Sequence, residues 1–285
     1  MSKDKDKIFQ NVLITGASGM VGSYIDFGLK MDRRSLDITD LEEALTVCRK
    51  YKPKVIIHLA AETDVGRCER EPQYAYFVNT IGTYNMVIAA KEIKAKFIYI
   101  STSAVFDGAK NGPYIEKDEP NPMGYYGKSK FLGEVIVSSI LKDYIIARIC
   151  WVFGGGPQKD QKFVAKIMSQ LNQPEIRVVK DMYGSPTYGK DLANVIKKLI
   201  VENKKGIFHL SNKGVTSRFD LTKEIVRITK SKARVVEVDQ SFFNAVNISN
   251  HIKNEGMISK VSLMRPWQVA LKEYIEDEWF NYIKK

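Results

Sequence analysis

The sequence predicts an α/β fold, a doubly wound parallel sheet with helices on both faces and a smaller C-terminal lobe, and three observations carry that prediction. Short apolar runs at Asn11 to Ile14, Val55 to Leu59, Phe97 to Ile100 and Tyr144 to Ile149 have the composition of buried strands. Longer amphipathic stretches near 41 to 50, 73 to 91 and 125 to 141 alternate with them. A glycine turn, Thr15-Gly16-Ala17-Ser18-Gly19-Met20-Val21-Gly22, directly follows the first run. Strand and helix in strict alternation imply right-handed crossovers, and a ligand then sits beyond the carboxyl ends of the strands.

The first strand leads into glycines 16, 19 and 22 with Ser18, Met20 and Val21 between them. A G-x-x-G-x-x-G run that leaves a strand and opens a helix lets a dinucleotide pyrophosphate approach the backbone and the helix N-terminus. Only nine residues separate Gly22 from Asp32, so the helix must be short and the second strand, Gly28 to Met31, abbreviated. At the end of that strand an acid favours a free ribose 2′-hydroxyl and an arginine favours a 2′-phosphate. Asp32 argues for NAD and the pair Arg33-Arg34 for NADP, with a slight leaning to NADP. Asp37-Ile38 is placed to edge the adenine; capping of the next helix by Asp37 or Asp40 is the competing role, and the better one for Asp40.

The fourth strand ends in Ser101-Thr102-Ser103, whose hydroxyls would face a nicotinamide, and Thr102 can donate to a substrate carbonyl. A Thr102 capped by its own backbone is the plainer alternative. Downstream lies Tyr126-Gly127-Lys128-Ser129-Lys130. On a helix Tyr126 and Lys130 stand at i and i+4 on one face, and an ammonium beside a phenol is expected to lower its pKa from about 10. Tyr126 then serves as proton donor, while Lys130 tunes it and holds the cofactor ribose.

After residue 150 the pattern loosens at Gly154-Gly155-Gly156-Pro157. Helices are expected over 160 to 172, 191 to 202, 218 to 230 and 267 to 283, with strands near 176 to 179, 207 to 210 and 234 to 238. Residues 1 to 150 are read as a dinucleotide-binding domain and 151 to 285 mainly as a substrate-binding lobe, parts of 175 to 210 completing the sheet. Trp151 follows the strand ending at Ile149, where it either walls a sugar pocket or packs in the core.

The chain has 285 residues, with 44% hydrophobic and 27% charged residues, ordinary for a globular protein. Its net charge of +11 comes from lysines scattered without interleaved aromatics, which argues for a solvated surface and against a nucleic-acid partner. Cys48, Cys68 and Cys150 form no C-x-x-C pair, and His58, His209 and His251 stand apart from any carboxylate or cysteine at ligand spacing. No metal site follows, and His58 and His209 read as packed core residues. The charged start lacks a signal-peptide core and no stretch spans a bilayer, so no membrane partner and a cytoplasmic location are expected. The sequence leaves monomer and homodimer open.

Together these residues resemble the extended short-chain dehydrogenase/reductase family over almost the whole chain. Leu36-Asp37-Ile38-Thr39, Val78-Asn79, Val105-Phe106-Asp107-Gly108, Gly133-Glu134 and Gly184-Ser185-Pro186-Thr187 add to the glycine turn and to the Tyr126 and Lys130 motif. They are similar to the branch that reduces nucleotide-linked 4-keto-6-deoxysugars. The resemblance implies a Rossmann-like nucleotide domain and a nucleotide-sugar substrate, with dTDP-4-dehydro-L-rhamnose as first candidate. It further implies a trio of Thr102, Tyr126 and Lys130, a cofactor lining by Ala60, Ala61, Thr63, Asn79 and Ser101, and substrate contacts from Thr102, Ser103 and Trp151.

Three positions depart from the branch. Ser103-Ala104 replaces an Asp-Tyr pair, Gly66 replaces an Asp, and Asn254-Glu255-Gly256 replaces an Arg-Pro pair, with the later Arg265-Pro266-Trp267 starting the final helix. A nucleotide-sugar 4-epimerase and a non-catalytic NADP-binding regulatory subunit are the competing functions. A 4,6-dehydratase fits less well, because Ser103-Ala104 offers no acid/base pair.

Overall fold

The computed structural model describes residues 8–239, 242, 252–259, 261 and 264–280. Six parallel strands form the central sheet in the order β10-β5-β4-β3-β1-β2. They are β1 (Val12–Thr15), β2 (Leu29–Met31), β3 (Val55–His58), β4 (Lys96–Thr102), β5 (Tyr144–Ile149) and β10 (Gly206–His209). Because successive side chains on a strand point to opposite faces, each apolar run feeds two cores. Val12, Ile14, Ile57, Ile98 and Ala147 meet Leu192, Ile196 and Leu199 of α8 (Gly189–Val201) on one face. Leu13, Ile56, Phe97, Tyr99 and Ile146 meet Ala44, Leu45, Met86, Val87 and Val137 on the other. That second layer is α1 (Leu41–Tyr51), α4 (Gly82–Glu92) and α5 (Tyr125–Ile140). The helix α1 is N-capped by Asp40, whose carboxylate accepts from the Glu43 N–H at 3.0 Å.

The expected helix after the glycine turn is absent and a single 3₁₀ turn, Gly22–Tyr24, stands in its place. Thirteen residues join β1 to β2, close to the minimum for a parallel crossover. The chain therefore runs straight back, burying Ile25 and setting Phe27 against Phe9 with ring centres 4.6 Å apart.

Three expected long helices are interrupted. The stretch 73 to 91 divides into α3 (Pro72–Tyr76), a π turn at Phe77–Ile81 and α4, where Gly82 lies so close to Ile38 that a Cβ would fall 2.7 Å from its Cδ1. The stretch 160 to 172 is helical only over α7 (Phe163–Met168), and a separate turn, α6 (Gly156–Lys159), precedes it across a buried Asp160, which accepts from Tyr274 Oη at 2.9 Å and from the Lys162 N–H at 2.8 Å. The stretch from 267 forms α10 (Trp267–Tyr274) and a π turn, Ile275–Phe280, and residues 281 to 283 of that expected helix lie outside the described residues. One short helix, α2 (Val65–Arg70), capped by Asp64, has no counterpart in the periodicity.

The later elements build a second layer of small sheets. The strand β7 (Glu175–Val179) stands outside the central sheet, paired with β12 (Arg234–Val238), and packs under α7, α9 (Arg218–Thr229) and α10. The pair β6 (Val152–Phe153) and β9 (Thr187–Tyr188) continues from β5. The remaining sheet, of β11 (Thr216–Ser217), β8 (Tyr183–Gly184) and β13 (Asn254–Glu255), brings three distant segments to the mouth of the cleft above β4 and β5.

Candidate active site

Gly16, with φ +66°, packs against the loop after β3, and a Cβ there would lie 2.6 Å from the Ala60 nitrogen. Gly22 sits equally tightly on Ala17, at 2.5 Å from its carbonyl oxygen. Among the described residues the N–H groups of Ser18, Met20 and Val21 make no hydrogen bond within the chain. This cradle of bare backbone and free donors fits a dinucleotide pyrophosphate. With no α-helix behind it, the expected helix-dipole contribution is missing. Lysines from the opposite side reach the same region instead: Lys159 Nζ donates to the Ser18 carbonyl at 3.1 Å and Lys162 Nζ to the Thr63 carbonyl at 2.9 Å.

At the end of β2 the Asp32 carboxylate is used by its own turn, accepting from the Arg34 N–H, the Ser35 N–H and the Ser35 hydroxyl at 3.0 to 3.1 Å. Those donors hold it below the usual carboxylate range. Arg33 and Arg34 are exposed beside it. Asp37 also serves a turn, accepting from the N–H and hydroxyl of Thr39, and Ile38 is buried with its carbonyl accepting from Asn85 Nδ2.

Two residues expected along the cofactor are committed to the protein itself. Asn79 lies in the π turn, fully buried, and its amide oxygen accepts from the Glu62 N–H at 2.8 Å while its nitrogen donates to the Glu62 carbonyl and to Ser129 Oγ. It fastens the Ala60, Ala61 and Thr63 segment to α5. Ser101 points to the helix side of β4, donating at 2.5 Å to Glu134, which is itself paired with Arg148 at 2.7 Å. The histidines His58 and His209 are buried. His58 bonds Thr15 Oγ1 at 2.8 Å and Thr83 Oγ1 at 3.3 Å, and burial pushes it down to about 3, so it is neutral. His251 lies outside the described residues. Among the described residues no cluster of metal-ligating side chains occurs.

At the carboxyl end of β4, Thr102 turns to the opposite side from Ser101. Its Oγ1 accepts from the Ala104 N–H at 3.1 Å, the local cap anticipated as the plainer role, yet its hydroxyl also lies close enough to the Tyr126 phenol to lower that group's pKa. Burial dominates and pushes Tyr126 up to about 12, with Cys68, Glu255 and Glu62 adding to the rise. Lys130 is not the tuning group here. Its ammonium lies over the Tyr99 ring, 4.1 Å from the centroid, and burial pushes it down to about 7 against the pull of Glu134. The expected lowering of Tyr126 by Lys130 is therefore replaced by a phenol held protonated at neutral pH.

The substrate side is built around Trp151, a bulky residue at φ +41°, in the left-handed region where side chains are strained. Its indole lies flat on Gly184, where a Cβ would fall 2.3 Å from Cε2, and its other contacts fix it in place. The indole N–H donates to Glu255 Oε2 at 2.7 Å, and the Ser103 hydroxyl donates to Glu255 Oε1 at 2.8 Å. The Arg218 guanidinium stacks on Trp151 at 3.6 Å and on Phe163 at 4.3 Å. Sequence reasoning missed Glu255, Arg218, Lys159 and Lys162 as site residues. Glu255, in a two-residue strand, stood out only as part of the Asn254-Glu255-Gly256 departure, and Arg218, at a helix start, carries no local pattern.

The sequence matches the family described as RmlD substrate binding domain over residues 10–279. It is 32% identical over 282 residues to the spore coat polysaccharide biosynthesis protein SpsK of Bacillus subtilis, covering 93% of this chain and 97% of that protein. It is 34% identical to the dTDP-4-dehydrorhamnose reductase of Aggregatibacter actinomycetemcomitans, covering 84% and 85% of the two chains. Among solved structures, the dTDP-4-dehydrorhamnose reductase of Bacillus anthracis in complex with NADP superimposes with a TM-score of 0.88 at 32% identity, over 93% of this chain and 98% of that one.

Proposed function

The chain belongs to the RmlD substrate binding domain family, within the extended short-chain dehydrogenase/reductases, and from that membership and the site geometry we propose that it is an NADPH-dependent reductase. Its reaction is reduction of the 4-keto group of a nucleotide-linked 4-keto-6-deoxysugar, with dTDP-4-dehydro-L-rhamnose yielding dTDP-L-rhamnose for polysaccharide synthesis. The observation that carries this reading is the meeting of Thr102 and a protonated Tyr126 at the carboxyl end of β4, beside the cradle formed by Gly16 and Ala60.

The free N–H groups of Ser18, Met20 and Val21 would hold the cofactor pyrophosphate, and Lys159 would supply the cation that the missing helix does not. Arg33 and Arg34 would hold a 2′-phosphate, since the turn at Asp32 leaves that carboxylate little capacity for a ribose hydroxyl. When bound, NADPH supplies the hydride. Thr102 orients the substrate carbonyl by donating its hydroxyl. Tyr126 delivers its phenolic proton to the carbonyl oxygen as negative charge develops there, a role suited to a phenol that is not ionised at neutral pH. Both faces of the Trp151 indole are taken, by Gly184 and by the Arg218 guanidinium, so Trp151 would border the sugar with its ring edge. A cytoplasmic site for the reaction accords with a soluble cofactor and substrate, and among the described residues no helix is long and apolar enough to cross a membrane.

The test is loss of NADPH absorbance with freshly generated dTDP-4-keto-6-deoxysugar and a 3,5-epimerase in the same vessel. Sugar-dependent oxidation is expected. No oxidation, with NADPH binding still visible by fluorescence, would overturn the reductase reading.

A further inference from the structure

Glu255 enters the cleft from an element far from the catalytic strand. The three-stranded sheet β11-β8-β13 pairs Asn254 with Tyr183 and Glu255 with Gly184, so the strand that lays its backbone under Trp151 also sets the Glu255 carboxylate at the edge of that indole. Each oxygen accepts one anchor, Oε1 from the Ser103 hydroxyl at 2.8 Å and Oε2 from the Trp151 N–H at 2.7 Å. Two donors are aimed at its two oxygens, and each oxygen keeps a further lone pair. Ser103 is buried whereas Glu255 is half-buried, so the carboxylate-bearing residue stays partly open to solvent.

Charged and titratable neighbours surround it from every element packed there. The Tyr126 phenol of α5 and the Cys150 thiol after β5 are both pushed up in part by Glu255. The Arg218 guanidinium at the start of α9 attracts the carboxylate, and it makes no hydrogen bond or ion pair of its own among the described residues. A carboxylate placed within electrostatic reach of the proton donor, fixed in orientation at both oxygens and open on one side, is arranged to accept from a ligand hydroxyl.

We propose that Glu255 is a specificity-determining residue that accepts a hydrogen bond from the sugar hydroxyl next to the reacting carbonyl, with Ser103 and Trp151 as its positioning residues. The inference rests on the reductase reading above and deepens it, by naming the substrate group that is read. A site built to bond a hydroxyl rejects the analogue without it, because the oriented acceptor loses its partner.

The experiment measures kcat/KM for the wild type and the Glu255→Ala and Glu255→Gln variants on the 4-keto-6-deoxysugar nucleotide and on its analogue lacking the adjacent hydroxyl. NADPH affinity is measured in parallel by fluorescence. On the full substrate Glu255→Ala is expected to lose about ten- to hundred-fold, the range for a hydrogen bond to a charged group, with Glu255→Gln between it and the wild type and NADPH affinity unchanged. On the deoxy analogue the three proteins should differ little, a convergence that a merely structural Glu255 would not give. Equal losses on both substrates, or no loss on the full substrate, would overturn the inference while leaving the reductase reading intact. A wild type that oxidises no NADPH with either sugar would remove the reductase reading, and this inference with it.

Discussion

The ammonium of Lys130 rests over the ring of Tyr99, 4.1 Å from its centroid, and is buried against the floor of the cleft. Tyr99 is itself fixed, donating its hydroxyl to the Lys130 carbonyl at 3.1 Å and packing so close to Gly133 that a Cβ there would fall 2.2 Å from the phenolic oxygen. The cation–π contact and Glu134 stabilise the charge, yet burial outweighs them and brings Lys130 from 10.5 down to about 7.

A lowered lysine pKa carries a stability consequence of definite sign. Well below pH 7 the lysine is protonated in both folded and unfolded chains, and the full burial penalty opposes folding. Between pH 7 and 10.5 the folded lysine sheds its proton while the unfolded one keeps it, so the penalty is relieved as pH rises. Lys130→Met is therefore expected to stabilise the protein at pH 7 by a few kcal/mol, raising Tm by several degrees, while most activity is lost with the ammonium proposed to hold the cofactor ribose. Thermal unfolding of both proteins across this pH range checks it: the gap in Tm should close toward pH 10.5, and a variant less stable at pH 7 would refute the account.

Tyr126→Phe keeps the ring and its packing and removes only the phenolic hydroxyl. Turnover is expected to fall by about 10² to 10⁴-fold, the usual contribution of a positioned acid, with the affinity for NADPH kept within about two-fold. Steady-state kinetics and cofactor fluorescence separate the two effects. An unchanged kcat would remove Tyr126 from proton transfer.

The legible parts of this fold are those whose burial is periodic. The strands β3, β4 and β5 and the helices α1 and α5 stand within about two residues of their sequence positions, since each strand is covered on both faces and each helix on one. The positions of Thr102, Tyr126 and Lys130 were legible because Thr102 ends a strand and Tyr126 and Lys130 stand four residues apart on one helix. What escaped depends on long-range packing. The 3₁₀ turn at Gly22, the π turn holding Asn79 and the two-residue strand holding Glu255 are too short to show a period, and the partners that define them lie far away in sequence. Ser101 and Asn79 carry the polar side chains expected beside a cofactor, but the partners that claim them, Glu134, Glu62 and Ser129, become visible only in three dimensions.

Cofactor preference should follow the arginines at the end of β2. Because Asp32 caps the turn to Ser35, removing Arg33 leaves Arg34 as the nearest cation for a 2′-phosphate. Arg33→Ala is expected to weaken NADPH binding by about ten-fold and NADH binding much less, in keeping with loss of a charge-assisted hydrogen bond. Titrating both cofactors by fluorescence tests this, and a variant weakened equally for the two would show that the 2′-phosphate is held elsewhere.

The Glu134–Arg148 pair links stability to the site from behind the sheet. Both side chains are almost fully enclosed, at 4% and 2% exposure, joined at 2.7 Å with the Ser101 hydroxyl as third partner. Removing one charge strands the other, so Arg148→Met is expected to cost about 3 to 5 kcal/mol, and Glu134→Leu in the same chain to recover a large part of it. Urea unfolding of the two single variants and the double variant measures this coupling, and a single-variant loss under about 1 kcal/mol would contradict a buried ion pair. Glu134→Gln tests the link to catalysis. Glu134 pulls the Lys130 pKa upward, so its loss lets Lys130 deprotonate at a lower pH than about 7. The alkaline decline in kcat/KM should then move to lower pH in Glu134→Gln, because the charged lysine disappears as pH rises through its folded pKa. A pH profile superimposable on that of the wild type would mean that the lysine charge is not required for turnover, or that Glu134 does not govern it.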